Sequence, residues 1–482
     1  MSNTGKGVFI LEKEYISGRL QSDMQYLNQA LAVEKNFDVI YRVVRIGGKE
    51  ACMYLVDGFC KDDLIQKLLQ YLMDQKPEDM PEDMHGISKQ LMPYVEVDVE
   101  GSFSKLIDSL LSGMFLLLID GYDKALMIDS RTYPARGVEE PEKDKVLRGS
   151  KDGFVETIVF NTALIRRRIR SADLCMEMMN AGKSSKTDIV LCYMNDRVDQ
   201  AFLEDIKRKI ENIQVDSLTM NQESLAECLY KRRWYNPFPK FKYTERPDTA
   251  AAQVLEGNIV ILVDNSPSAM ILPTTIFDVV EEADDYYFPP ITGTYLRLTR
   301  LLITLFTFFM TPTFLLLMNH TEWVPESFSF ILLQEEPNIP LIWQFLILEL
   351  AIDGLKLAAV NTPNMLSTPL SVMAALVLGE FSVNSGWFNS EVMLYMAFVA
   401  IANYTQQNYE LGYALKFLRI LTLLLTQWFG LWGYIGGVLL AVLSICFNRT
   451  VSRSSYIYPL IPLDWKKLKN RLVRRRLPES RK

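Results

Sequence analysis

Residues 301–318 read LLITLFTFFMTPTFLLLM, a run with no formal charge and a single proline, Pro312. Hydrocarbon is crossed by about 20 apolar residues at a rise of about 1.5 Å each, so the run is long enough to span a bilayer, with Pro312 expected to kink it. Arg297 and Arg300 precede it, and Glu322, Glu326, Glu335 and Glu336 follow it. Cationic flanks stay on the cytoplasmic side, which predicts that everything before Arg297 is cytoplasmic and that the acidic loop lies on the far side.

Toward the C-terminus the apolar stretches recur at 339–360, 365–378, 392–402 and 418–447. The last reads either as one long helix or as two short ones broken at Gly430, Gly433 and Gly436-Gly437. The shorter stretches barely span hydrocarbon, and re-entrant segments are expected among them. A basic tail follows, with Lys466, Lys467, Lys469, Arg471, Arg474, Arg475, Arg476, Arg481 and Lys482 against Asp464 and Glu479. It is expected to bind anionic headgroups of membrane lipid and to stay cytoplasmic. Head and tail on one side require an even number of crossings, four or six.

Upstream of Tyr295 charge is spread evenly, as in a water-soluble domain. The whole chain has 482 residues, 49% of them hydrophobic, and a net charge of -7, which argues against nucleic acid as a partner. Its 6 cysteines form no C-x-x-C pair, and its 2 histidines, His85 and His320, are far apart. No disulfide frame, metal site, cofactor or catalytic triad is expected, and so no enzyme. The N-terminal MSNTGKGVFILEKEY lacks a basic start followed by a long apolar run, so no signal peptide is expected.

Within the head, Phe37 to Asp57 reads FDVIYRVVRIGGKEACMYLVD, two β-rich runs around Gly47-Gly48, a hairpin pattern. Leu64, Leu68, Leu69 and Leu72 recur at helical spacing, a Pro- and acid-rich loop covers 74–83, and another helix is expected over 102–111. FLLLIDGYDKALMIDS then gives a hairpin turning near Asp120-Gly121. A similar series follows: a strand over 187–194, helices over 199–213 and 221–230, a short helix over 250–255, and a hairpin turning at Asn265-Ser266-Pro267. The expected fold class is therefore an α/β soluble head of two related subdomains plus an all-α polytopic transmembrane domain. The expected boundaries are 1–135 for the first subdomain, 136–290 for the linker and second subdomain, 291–452 for the membrane domain and 453–482 for the tail.

Two groups of residues stand out. Glu349, Asp353 and Lys356, at spacings of four and three, share one face of a helix at membrane depth. Ionisable groups there normally face a bundle interior or a water-filled cavity. They form either a polar stripe beside an ion pathway or gate, or an internal carboxylate–lysine lock; Glu380, Asn361, Asn364 and Asn403 are weaker candidates for the same lining. The second group is Arg148 with Arg166, Arg167 and Arg168, the last three ending a helix expected over 154–170. They read either as an anion or subunit contact or, preferably, as a solvated helix end. Gly182-Lys183-Ser184 lacks the upstream glycine of a P-loop, having Glu177 in that place, and is set aside.

RGSKDGFVETIVFNTALIRRR at 148–168 resembles the hallmark stretch of the GerA family, the A-type subunits of bacterial spore germination receptors. TERPD at 244–248, LVDNSPSAMILPTT at 262–275 and PPITGTYLR at 289–297 are similar to further family motifs. YVEVD at 94–98 and YPARGVEEPEKDKVLRGS at 133–150 place the resemblance nearest the stage V sporulation protein AF branch. The resemblance implies the inner membrane of an endospore, a role in germination, assembly as a homo-oligomer or with B- and C-type receptor subunits, and a contribution to ion release.

Overall fold

In the computed structural model, which describes residues 13–132, 149–361, 374–406 and 408–474 (376–378 by backbone alone), the first β-rich run folds as the expected hairpin. Strands β1 (Val39–Ile46) and β2 (Lys49–Val56) pair antiparallel from Val39↔Val56 to Ile46↔Lys49. The turn uses Gly47 and Gly48 at φ 54° and 77°, a region that costs glycine nothing. With α1 (Leu20–Ala30), α2 (Asp62–Met73), β3 (Val97–Glu100), α3 (Phe103–Leu111), β4 (Phe115–Ile119) and β5 (Ala125–Ile128), these strands build the first half of the head. α2 buries Ile65, Leu68, Leu69 and Leu72, a face turned slightly from the expected one, since Ile65 replaces Leu64. β4, FLLLI, is buried at every position, as a strand covered on both faces must be.

The second half comprises α4 (Ile158–Arg168), β6 (Leu174–Ala181), β7 (Thr187–Met194), α5 (Gln200–Glu211), α6 (Asn221–Leu229), β8 (Lys242–Thr244), α7 (Pro247–Leu255), β9 (Ile259–Val263) and β10 (Ala269–Leu272). The two five-stranded sheets have the orders β1-β2-β4-β5-β3 and β6-β7-β9-β10-β8. These are the same path laid twice, which makes the head an α/β domain of two related subdomains. β3, β6, β8 and α1 are additions to the sequence expectation. Gly182-Lys183-Ser184 follows β6, and the Ser184 hydroxyl donates to Asp216 at 2.5 Å.

Two corrections concern the helix of the arginine cluster. It begins at Ile158, not Phe154, because Asn161 folds back onto the backbone of Val155, accepting from its N–H at 2.8 Å and donating to its carbonyl at 2.5 Å. Its end is also not simply solvated. Arg166 is 0% exposed. Its Nε and Nη2 donate to the two carboxylate oxygens of Asp38 at 2.8 and 2.9 Å, and Nη1 donates to the Leu174 carbonyl at 3.2 Å. Asn36 accepts from both Arg166 and the Met176 N–H. The cation therefore ties the start of β1 in one subdomain to α4 and β6 in the other. Arg168 pairs with Asp152 at 2.5 Å and Arg167 is exposed, while Arg148 and the 133–148 part of the linker lie outside the described residues.

By density of internal contact the chain divides into two units. One holds Ser150–Lys231 and Tyr243–Pro273 with the head residues before them, the other Arg232–Lys242 and Thr274 onward. The second unit is helical: α8 (Pro290–Asn319), α9 (Leu341–Asn361), α10 (Ser390–Tyr404), α11 (Tyr409–Cys446) and α12 (Trp465–Leu472). α8 is long and apolar enough to cross a membrane, with mean hydropathy 2.1, and the α11 stretch is as apolar, at 2.0. Of the expected stretch 365–378, residues up to 373 lie outside the described set, as does Asn364.

α11 resolves the alternatives left open for 418–447. Gly430 takes φ 55°, ψ -132°, and the chain reverses there. A Cβ on Gly433 would stand 1.8 Å from the Leu425 carbonyl oxygen, and one on Gly437 would stand 2.9 Å from the Thr422 Cα. Residues 422 and 437 would be about 22 Å apart along a straight helix, so α11 is a tight antiparallel pair whose arms meet backbone to backbone. Its tip lies beside the end of α8, with Gly430 near His320 and Tyr434 bonded to Thr313 at 2.9 Å. Near the start of α8, Arg297 donates to the Arg471 carbonyl at 2.7 Å. The segment preceding α8 and the segment following α11 thus meet at one end of the bundle.

Candidate functional site

Glu349 and Asp353 lie one turn apart on α9, Lys416 and Arg419 one turn apart on α11, and these two faces meet. Arg419 is 0% exposed and Glu349 3%. The Arg419 Nε and Nη2 both donate to Glu349 Oε1, at 2.9 and 2.5 Å, and its Nη1 donates to the Thr307 carbonyl of α8 at 2.9 Å. Lys416 Nζ donates to the Glu349 carbonyl at 3.0 Å, lies 3.4 Å from Oε2 of the same residue, and also pairs with Asp353. Two anions and two cations cancel, and each cation donates to a carboxylate and to a backbone carbonyl. That is the condition under which buried charge is tolerated. Three helices, α8, α9 and α11, are joined by this one cluster.

The sequence expectation paired these carboxylates with Lys356 on their own helix. The structure differs: among the described residues no carboxylate lies within ion-pair distance of Lys356. Its ammonium sits over the rings of Tyr404 and Tyr413, 5.5 and 5.8 Å from their centres. Residues three apart on one helix face can pair, but here the cations beside these carboxylates, Lys416 and Arg419, come from the facing helix. Lys416 and Arg419 were missed. Their spacing of three in YALKFLRIL matches that of a polar face, but the apolar run was taken from Leu418, which left Lys416 outside it.

Beside this cluster is a cavity lined by Lys356, Asn403, Gln406, Tyr409, Tyr413 and Lys416. Gln406 is held by its bond to Thr304 at 2.6 Å. Asn403 Oδ1 and Asp353 Oδ1 are buried and find no hydrogen-bond partner among the described residues. The cavity wall therefore carries one cation without a carboxylate and, close by, two unsatisfied acceptors. It is suited to water or a small ion, not to an apolar ligand. Of the weaker candidates, Asn403 joins this wall. Asn361 is exposed and donates to the Leu357 carbonyl of its own helix, and Glu380 is exposed in a wide helical turn; among the described residues neither is brought to the cluster.

A second charged cluster lies at the start of α8. Arg297 and Arg300, the arginines that set the expected orientation, are buried at 4% and 8% exposure and share Asp285, at 3.1 and 2.8 Å. Arg297 also pairs with Glu281, Arg300 with Glu282, and Arg471 of α12 with Asp278 and Glu281. Burial pushes the Glu281 carboxyl up, but Arg471 and Arg297 together hold it below its ordinary value. For Glu282 burial wins over Arg300, and its carboxyl is pushed up to about 7. Among the described residues no group of His, Cys, Asp and Glu could hold a metal ion.

A family model for the Bacillus/Clostridium GerA spore germination protein matches residues 25–482. Stage V sporulation protein AF of Bacillus subtilis (strain 168) is 36% identical over 459 residues, 95% of this chain and 92% of that protein. Spore germination protein KA of the same organism is 26% identical, covering 92% of this chain and 82% of that one. Among solved structures, the N-terminal domain of the A subunit of the Bacillus megaterium spore germinant receptor GerK3 is 26% identical, with TM-score 0.42, over 54% of this chain and 96% of that one.

Proposed function

We infer the function of this protein from the family to which it belongs: the chain is a member of the GerA family of spore germination proteins. Its relatives are spore germination receptor A subunits and related sporulation proteins. The protein acts as a membrane subunit of a spore germination complex in the endospore inner membrane, with head and tail on the cytoplasmic side. It assembles with further copies of itself or with B- and C-type subunits, and it contributes to ion release. No catalytic role is assigned to it.

The observation that carries this reading is the charged seam between α9 and α11. Charge at that depth is costly and is kept where it serves a pathway or a lock, and the two roles divide over the cluster. Glu349 and Arg419, fully buried and matched, suit the lock. Asp353, with one unsatisfied oxygen, suits a pathway together with Lys356, Asn403 and the cavity. Asp353→Asn should therefore change ion release from spores, or conductance in reconstituted vesicles, while the complex still assembles. Unchanged flux in a stably assembled variant removes Asp353 from the pathway.

The second reading is a scaffold that stabilises other germination proteins and conducts nothing. The near-complete internal pairing of the four central charges favours it. Reconstitution separates the two, since a scaffold gives assembly without leak. Arg148, Arg167 and Arg168 remain the proposed subunit-contact or anion-binding group; Arg166 serves the head internally.

A further inference from the structure

Residues 232–235 read RRWY, and both aromatic side chains stand exposed: Trp234 is 97% exposed and Tyr235 60%. The segment is nonetheless firmly placed within the helical unit. Arg232 pairs with Glu410 at the start of α11 at 2.8 Å. Asn236 donates to Asn448, just past the end of α11, at 3.0 Å. Phe238 packs with Leu411, Leu415 and Tyr456. Arg233 donates to the Tyr235 hydroxyl at 2.8 Å, and the Trp234 and Tyr235 rings meet edge to face at 6.0 Å. The Arg233 guanidinium lies 5.9 Å from the Tyr235 ring centre, and the rest of this aromatic pair leaves apolar surface facing outward among the described residues.

A second segment reaches the same end of the bundle. The Phe238 and Tyr456 rings lie 6.0 Å apart, and beyond Tyr456 the chain exposes Leu460, Ile461, Leu463 and Trp465 at 45%, 52%, 54% and 72%. α12 then starts with Lys466 and Lys467. In these two segments Arg232, Arg233, Lys466 and Lys467 stand beside two acids, Glu410, paired with Arg232, and Asp464, which caps the Lys467 N–H at 3.1 Å. The outward surface therefore combines tryptophan, tyrosine and branched aliphatics with a surplus of arginine and lysine. That is the composition of a protein surface at headgroup depth over an anionic leaflet, where the rings sit between hydrocarbon and water and the cations meet phosphate.

We propose that residues 232–235, together with 460–465, form an interfacial anchor that seats Trp234 at the headgroup level of an anionic phospholipid surface. The proposal rests on the bundle crossing a membrane. The anchor is carried on the segment that enters the bundle unit from the head, and its contacts with both ends of α11 fix its height relative to the reversed pair.

The test uses the full chain reconstituted into phosphatidylglycerol vesicles whose acyl chains carry bromines at carbons close to the headgroup. The contribution of Trp234 is the fluorescence difference between the chain and Trp234→Phe, a mild change at so exposed a position. Trp428→Phe gives the same difference for a tryptophan inside α11. Bromine should remove most of the Trp234 signal, and replacing phosphatidylglycerol by phosphatidylcholine should restore part of it. Full Trp234 emission beside a quenched Trp428 overturns the anchor and leaves the bundle in the membrane. If neither is quenched, both fall. Equal quenching in the two lipids overturns the choice of an anionic surface.

Discussion

The bond between Glu349 and Arg419 allows a prediction with a magnitude. In Glu349→Gln the acceptor oxygen survives but the charge does not, so Arg419, at 0% exposure, becomes a cation facing only the Thr307 carbonyl and an amide. At about 3.5 Å and an effective dielectric of about 20, the lost attraction is roughly 5 kcal/mol. Breaking one partner out of a buried pair costs about 3–5 kcal/mol, which agrees. In the double variant Glu349→Leu/Arg419→Leu both charges are gone, and a well-packed apolar pair is neutral or mildly stabilising. The assay is thermal unfolding of the detergent-extracted full chain. At about 2–4 °C per kcal/mol for a domain of this size, the single variant should melt on the order of 10 °C lower. The double variant should melt within a few degrees of the parent. A single variant that costs less than about 1 kcal/mol, or a double variant whose loss equals the sum of the two single losses, refutes the lock: the residues would then not be energetically coupled.

Three further outcomes are expected. Asp38→Ala, which strands Arg166, should destabilise the head by about 3–5 kcal/mol, whereas Asp38→Leu/Arg166→Met should recover most of it, read by urea unfolding of the full chain. Gly437→Val should break the reversed pair and abolish recovery of folded protein, because the new side chain meets Thr422 at once; Gly436→Ala, with nothing within 4 Å, should leave recovery unchanged. Glu282, pushed up from 4.5 to about 7, binds its proton more tightly when folded, so its contribution is fully present below about pH 4.5 and is lost as pH rises through 7. That loss is up to about 3 kcal/mol. Glu282→Gln should flatten the pH dependence of melting in this window, and an unchanged slope would place the titration elsewhere.

What the sequence settled by itself was whatever neighbours along the chain decide. Gly47-Gly48 between two β-rich runs, the leucines of α2, the turn at Asn265 and the apolar length of 301–318 each need only local geometry and solvent to be read. Because each half repeats such local signals in order, the two-subdomain plan of the head was legible too. The long apolar helices were visible for the same reason. Only the tertiary structure decided which charges meet. Arg166 finds Asp38 at 128 residues' separation, Arg419 finds Glu349 at 70 and Lys416 finds Asp353 at 63. A buried ion pair is fixed by the approach of two surfaces that are each assembled from local pieces, and nothing in the spacing along one helix says which cation the other will bring. The same holds for Gly430: several glycines in α11 could have broken it, and the one that did is set by where the returning arm can lie against Leu425 and Thr422.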